Sequence, residues 1–115
     1  MILVLDDGYD IVTMIKRSLE GNVFRNISVF TDPTLALEDF RNNSHNYSLI
    51  LSDIRMPGMN GFEFVTKVRE INPAIKVLLM TAFEISDSNL DILPALKIDD
   101  FLQKPVSISE LIEKI

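Results

Sequence analysis

The sequence predicts an α/β fold, a doubly wound five-stranded parallel sheet with helices on both faces. Two observations carry that expectation. Five short apolar runs alternate with stretches whose apolar residues recur at helical spacing. Several of the runs end in a polar residue suited to charge chemistry: Asp6 and Asp7 follow residues 2–5, Asp53 follows 49–52, Thr81 follows 77–80, and Lys104 follows 101–103. Parallel strands bring their carboxyl ends to one edge of the sheet, where open α/β folds place their sites. An acid pair, a lone Asp, a hydroxyl and an ammonium would then share one pocket.

Each element follows from local pattern. Residues 2–5 form an unbroken apolar run, as in a strand buried on both faces. A helix is expected over about residues 8–20, with Val12, Ile15 and Leu19 facing the sheet and Gly21 as its stop. Residues 27–30 read as the second strand. Thr31, Asp32 and Pro33 resemble a helix start, since Pro is tolerated in a first turn, and Leu35, Ala36, Leu37 and Phe40 supply the apolar face. Residues 49–52 form the third strand and 56–61 a loop, before a helix over about 62–71 that turns Phe62, Val65 and Val68 inward, with Phe64 a further candidate. Asn72 and Pro73 end it. Residues 76–80 are the fourth strand and 100–103 the fifth; a last helix begins at Ile108. Between these two strands a helix is expected over about residues 86–96, short or bent because Pro94 removes a backbone hydrogen bond and crowds the preceding turn.

Composition limits the function classes. A chain of 115 residues, 47% apolar and 24% charged, has the size and balance of one soluble globular domain, with no room for a second. No apolar stretch approaches the roughly 18 residues of a membrane span, and the start lacks a secretory signal pattern, so a cytoplasmic location is expected. The chain has no Cys and one His, which excludes thiolate and His-rich zinc sites. Any metal must be held by oxygen. A net charge of −6 disfavours direct binding to nucleic acid. His45 lies in the polar stretch 42–46, a loop by composition, and is assigned no function.

Charge then suggests the chemistry. Three carboxylates within a few ångströms repel one another and call for a cation. Mg²⁺ suits an all-oxygen site because it prefers octahedral coordination, keeps several waters and bridges carboxylates to phosphoryl oxygens. Asp53, alone at its strand tip, is a candidate nucleophile toward phosphorus, giving an acyl phosphate. Asp6 and Asp7 would hold the metal, while Lys104 and Thr81 would neutralise the remaining phosphoryl oxygens. Ala82 leaves space for the group to arrive. Each residue has an ordinary reading too. Asp6 and Asp7 could cap a helix, Thr81 could be a plain strand residue, Lys104 a solvated lysine and Phe101 a core residue.

Four segments in order, 3–7, 52–61, 80–82 and 100–105, resemble the receiver domains of two-component response regulators, and the resemblance runs from Ile2 to Ile115. It implies a flavodoxin-like strand order 2-1-3-4-5, with Asp53 as phosphoacceptor from a histidine kinase or phosphotransfer protein. It further implies Mg²⁺ on Asp6, Asp7, Asp53 and the backbone carbonyl of Arg55, and a phosphoryl group gripped by Thr81, Ala82 and Lys104. Thr81 and Phe101 would form the conformational switch, and the Lys104–Pro105 bond would be cis. Ile11 and Met14, to one side of the first helix's buried stripe, are expected to be kinase contacts, against the alternative of a broad core face. Arg55 and Phe83 flank the water path in this resemblance, and their bulk predicts slow self-hydrolysis.

The segment 95–100 departs from the family pattern, with Lys97 where receivers usually carry Gly and Pro94 just upstream. The face built from that helix, the fifth strand and the last helix is where receivers dimerise or meet an effector. The chain is expected to be a domain trimmed from a longer protein. Three functional readings stand at this point. The first is a phosphorylation-activated signalling domain that assists only its own phosphorylation and dephosphorylation and is otherwise not an enzyme. The others are a receiver-like interaction module working without phosphorylation, and a Mg²⁺-dependent phosphohydrolase. The last family resembles Asp-x-Asp after its first strand, whereas here Asp6 and Asp7 are adjacent and Gly8 follows.

Overall fold

The computed structural model describes residues 1–21, 26–82 and 98–115. Five strands, β1 (Ile2–Leu5), β2 (Ile27–Phe30), β3 (Leu49–Asp53), β4 (Lys76–Thr81) and β5 (Asp100–Gln103), form one parallel sheet in the order β2-β1-β3-β4-β5. Its register aligns Leu5 with Phe30 and Ser52, Asp53 with Met80, and Thr81 with Gln103. The polar residues that end the strands therefore lie along one edge.

Alternation along the strands divides the core in two. Leu3, Leu5, Ile50, Val77 and Leu79 face α2 (Pro33–Asn43) and α3 (Gly61–Ile71), packing with Ala36, Leu37, Phe40, Phe64, Val65 and Val68. Ile2, Val4, Leu51, Leu78, Met80 and Leu102 face the other way, against Val12, Ile15 and Leu19 of α1 (Tyr9–Glu20) and Leu111 of α4 (Ile108–Lys114). A strand residue on either side meets a helix, which is why these strands read as continuous apolar runs. Each such Leu, Ile or Phe removed from water contributes about 1.5–3 kcal/mol before conformational entropy is counted.

Several sequence expectations shift. Leu35 is 55% exposed and does not join the apolar face of α2, whose buried side is Pro33, Ala36, Leu37 and Phe40. On α3 the inward aromatic is Phe64, fully buried, while Phe62 is only partly so. The reason lies in phase: α3 starts at Gly61, and Phe64, Val65 and Val68 share a face at spacings of one, three and four, which leaves Phe62 on its flank. Residues Ser44–Asn46 form a turn of 3₁₀ helix where composition suggested a loop. It delivers Tyr47 into the core, ring centroid 5.8 Å from that of Phe40, with its hydroxyl donating to Asp39. Burial, reinforced by Asp39, pushes the Tyr47 phenol up to about 12. β3 and β4 each run one residue further than expected, to Asp53 and Thr81 themselves. The helix expected over 86–96, with Pro94 and Lys97, lies outside the described residues.

Candidate functional site

Asp6 leaves β1 fully buried, and Asp7 beside it is exposed. Neither caps α1. That role falls to Gly8, which brings no side-chain hydrogen bond, while the Gly8 N–H donates to Asp6 Oδ1 at 2.8 Å. Asp53 ends β3 at 6% exposure, and it too caps no helix, because Asn60 caps α3 by accepting from the Glu63 N–H at 2.9 Å. The helix-cap reading of Asp6 and Asp7 is thereby removed. Carboxylate oxygens of Asp6, Asp7 and Asp53 lie within 4.8 Å of one another.

Lys104, just past the end of β5, faces this cluster. Lys104 Nζ stands 2.6 Å from Asp6 Oδ2 and 3.2 Å from Asp53 Oδ2, with only 17% of its side chain exposed. The Lys104–Pro105 peptide bond is cis, and the Lys104 N–H donates to the Thr81 carbonyl at 2.7 Å, joining the ends of β4 and β5. Burial works to lower the Lys104 pKa, but Asp6 and then Asp53 outweigh it, so the ammonium is held charged above its ordinary range. Burial and the Asp6 carboxylate raise Asp53 above the usual value of 3.8, against the pull of Lys104 and the Ile54 N–H that donates to Asp53 Oδ1 at 2.9 Å.

The donor set fits a hard divalent cation. Among the described residues, three carboxylates, two of them buried, confront the Lys104 ammonium, an excess of negative charge. Among the described residues, the buried Asp6 Oδ2 has the Lys104 ammonium, 2.6 Å away, as its ion-pair partner. An ionised carboxylate offers more lone-pair directions than one ammonium uses, so Asp6 keeps capacity to ligate beside that ion pair. All the donors are oxygens, and exposed Asp7 leaves a side open for water, as Mg²⁺ requires.

Beside the cluster a pocket of about 230 Å³ is lined by Asp53, Ile54, Arg55, Thr81, Ala82 and Lys104. Thr81 is 4% exposed at the end of β4, and Ala82 is exposed at the pocket mouth. Phe101 is not in this pocket; it is partly buried in β5 against the core under α2 and α3, paired in register with Leu79. Ile11 and Met14 line a second groove, about 380 Å³, which shares Ala82 and Lys104 with the first and continues over Pro105 and Val106. Met14 is 42% exposed and Ile11 partly buried. Arg55 is exposed beside Asp53, and Phe83 lies outside the described residues.

Sequence reasoning missed the main-chain groups that orient the acids, the N–H of Gly8 on Asp6 and the N–H of Ile54 on Asp53, and the Asn60 cap that starts α3. The cap was readable, since Asn before an apolar helical run is a start signal. Main-chain donors carry no residue signature.

The response regulator receiver domain family matches the chain over residues 2–115. Among curated proteins, the transcriptional regulatory protein ZraR of Klebsiella oxytoca is 34% identical over 110 residues, which cover 96% of this chain and 24% of ZraR. The transcriptional regulatory protein YvrH of Bacillus subtilis (strain 168) is 36% identical over 116 residues, covering 99% and 46%. The chain thus spans a quarter to a half of the length of these relatives. Among solved structures, the receiver domain of the Francisella response regulator 1452 superposes with a TM-score of 0.83 at 33% identity, covering 98% of this chain and 90% of that one. The Vibrio cholerae chemotaxis protein CheY4 gives a TM-score of 0.87 at 26% identity, covering 97% and 92%.

Proposed function

The chain belongs to the response regulator receiver domain family, and on that premise we propose that it is a phosphorylation-activated signalling domain of a two-component system with Asp53 as phosphoacceptor. The observation that carries this reading is the convergence of Asp6, Asp7 and Asp53 with Lys104 beside a pocket that also takes in Thr81.

An oxygen of Asp53 attacks the phosphorus of a phosphohistidine on a histidine kinase or phosphotransfer protein. The P–N bond breaks, its electron pair leaves with the imidazole, and an acyl phosphate remains on Asp53. Asp6, Asp7, Asp53 and the Arg55 carbonyl would hold Mg²⁺, which supplies charge neutralisation to the phosphoryl oxygens. Lys104 neutralises another oxygen. The Thr81 hydroxyl and the main chain at Ala82 complete the set from β4. Arg55 at the pocket wall limits access of water to the acyl phosphate, which gives it a long lifetime.

Phosphorylation is read out through Thr81 and Phe101. Thr81 moves toward the phosphoryl group, and the partly buried Phe101 ring repacks on its side of the sheet, which biases an equilibrium between two forms. The face of β5 and α4 then meets an effector or a second copy. The domain turns over no external substrate. Ile11 and Met14 receive the phosphodonor protein, because their apolar groove opens onto the rim of the phosphoacceptor pocket.

A receiver fold that binds partners without phosphorylation is the second reading, favoured by the apolar groove alone. Incubation with Mg²⁺ and acetyl phosphate separates the readings. Uptake of one phosphoryl group per chain, labile to hydroxylamine, supports the signalling domain. No uptake favours the interaction module, and sustained release of phosphate from a monoester would indicate a hydrolase.

A further inference from the structure

The start of α3 touches the backbone of the phosphoacceptor itself. A Cβ added at Gly61 would lie 2.3 Å from the carbonyl oxygen of Asp53, 2.8 Å from Cα of Ile54 and 3.1 Å from the carbonyl carbon of Asp53. No side chain can be accommodated there without displacing main chain, since the obstacles are backbone atoms with no rotamer to change. The Gly61 N–H also donates to the Ile54 carbonyl at 2.7 Å. These contacts close the loop 54–60 back onto the end of β3, so that the peptide carrying Asp53 is held from both sides. β4 holds it on one flank, where the Ile54 N–H donates to the Met80 carbonyl at 3.2 Å, and Gly61 holds it on the other.

We propose that Gly61 is a positioning residue for phosphoryl transfer: its bare Cα lets α3 seat on the Asp53 carbonyl, and this seat fixes where the Asp53 carboxylate stands relative to Lys104, Asp6 and Asp7. Two details make the effect local to the chemistry. The Ile54 N–H that orients Asp53 Oδ1 belongs to the residue whose carbonyl Gly61 holds, so a shift at Gly61 tilts that donor too. The neighbouring peptide of Arg55 follows in the same loop, so its carbonyl turns with it. Reaction rates of positioned groups fall steeply when geometry slips by about an ångström. The rest of α3 is anchored independently, by Phe64, Val65 and Val68 in the core. This inference rests on the phosphoacceptor reading of Asp53.

The test compares the parent chain, Gly61→Ala, and Val68→Ala, which weakens the same helix two turns away. Thermal stability, Mg²⁺ affinity by calorimetry and the rate of phosphorylation by acetyl phosphate are measured for each. Gly61→Ala is expected to lose about tenfold or more in both Mg²⁺ affinity and phosphorylation rate. Val68→Ala is expected to lose stability while keeping both within about twofold. A folded Gly61→Ala with parental affinity and rate would overturn the proposal. A parent chain that takes up no phosphoryl group would instead defeat the phosphoacceptor reading. Should Gly61→Ala not fold, amide hydrogen exchange of the parent decides: saturating Mg²⁺ is expected to slow exchange of the Gly61 N–H by about tenfold, because loading the site rigidifies the seat. Unchanged exchange with the metal bound would overturn the proposal equally.

Discussion

Lys104 Nζ lies nearer to Asp6, at 2.6 Å, than to Asp53, at 3.2 Å. The lysine is thus held chiefly by Asp6 and not by the proposed phosphoacceptor. An ammonium placed this way stands beside Asp53, the proposed phosphoacceptor, so that little reorganisation would be needed when charge arrives. The same contact compensates the buried Asp6 carboxylate, so one side chain would carry a structural duty and, in the proposed reaction, a chemical one.

That double duty predicts a coupled stability effect. Without Mg²⁺, Lys104→Ala leaves a buried carboxylate unpaired and is expected to destabilise the fold by about 3 kcal/mol. The double variant Lys104→Ala/Asp6→Asn is expected to recover most of that loss, because the orphaned charge is gone. Urea unfolding of the parent, both single variants and the double variant checks this, and purely additive losses would contradict it.

Mg²⁺ is expected to raise Tm through mass action, by about 2.7 kcal/mol of stability at a hundredfold excess over Kd. Asp6→Asn and Asp7→Asn each replace an anionic oxygen of the proposed metal site by a neutral amide and are expected to abolish most of the shift. Differential scanning fluorimetry with Mg²⁺ against a chelator measures it. A full shift retained in both variants would exclude this acid cluster as the metal site.

The groove under Ile11 and Met14 predicts a kinetic phenotype. Ile11→Ala and Met14→Ala are expected to slow transfer from a phosphorylated histidine kinase by about tenfold, the scale of one well-buried interface contact. Phosphorylation by acetyl phosphate, which needs no protein surface, is expected to stay near the parental rate. Equal slowing with both donors would move the effect from docking to the chemistry.

Tyr47 gives a pH prediction far from the site. Its phenol is raised from 10.0 to about 12, so the folded chain keeps the proton where the unfolded chain has lost it. The stability this contributes is present below pH 10.0 and is lost as pH rises toward about 12. Unfolding free energy of the parent is expected to fall across that window relative to Tyr47→Phe, with a tyrosinate absorbance signal near its upper end that the variant lacks. Parallel stability curves for the two chains would show that the phenol is not perturbed.

Much of this architecture was legible in the sequence because the signals were local. A run such as residues 2–5 has one reading once it alternates with helical stretches, and the acid or hydroxyl that ends each strand follows directly from the strand. Positions that depend on phase or tertiary fit were not legible. Phe62 and Phe64 sit two residues apart, and which turns inward depends on where α3 begins, a choice made by the Asn60 cap and the Gly61 contact with β3. Leu35 joins the apolar pattern of its helix yet is 55% exposed, because Pro33, Ala36, Leu37 and Phe40 already cover the sheet. At the site, residue types named the carboxylates and the lysine. The pairing of Lys104 with Asp6 ahead of Asp53, and the main-chain donors on both acids, arise from strand register and loop closure, which no residue type encodes.

The most direct test of the central claim is peptide mass mapping after incubation with acetyl phosphate and Mg²⁺. One phosphoryl group on Asp53 is predicted, abolished by a chelator and by Asp53→Asn. A phosphoryl group found on another residue, or an Asp53 left unmodified while the metal is bound, would contradict the account.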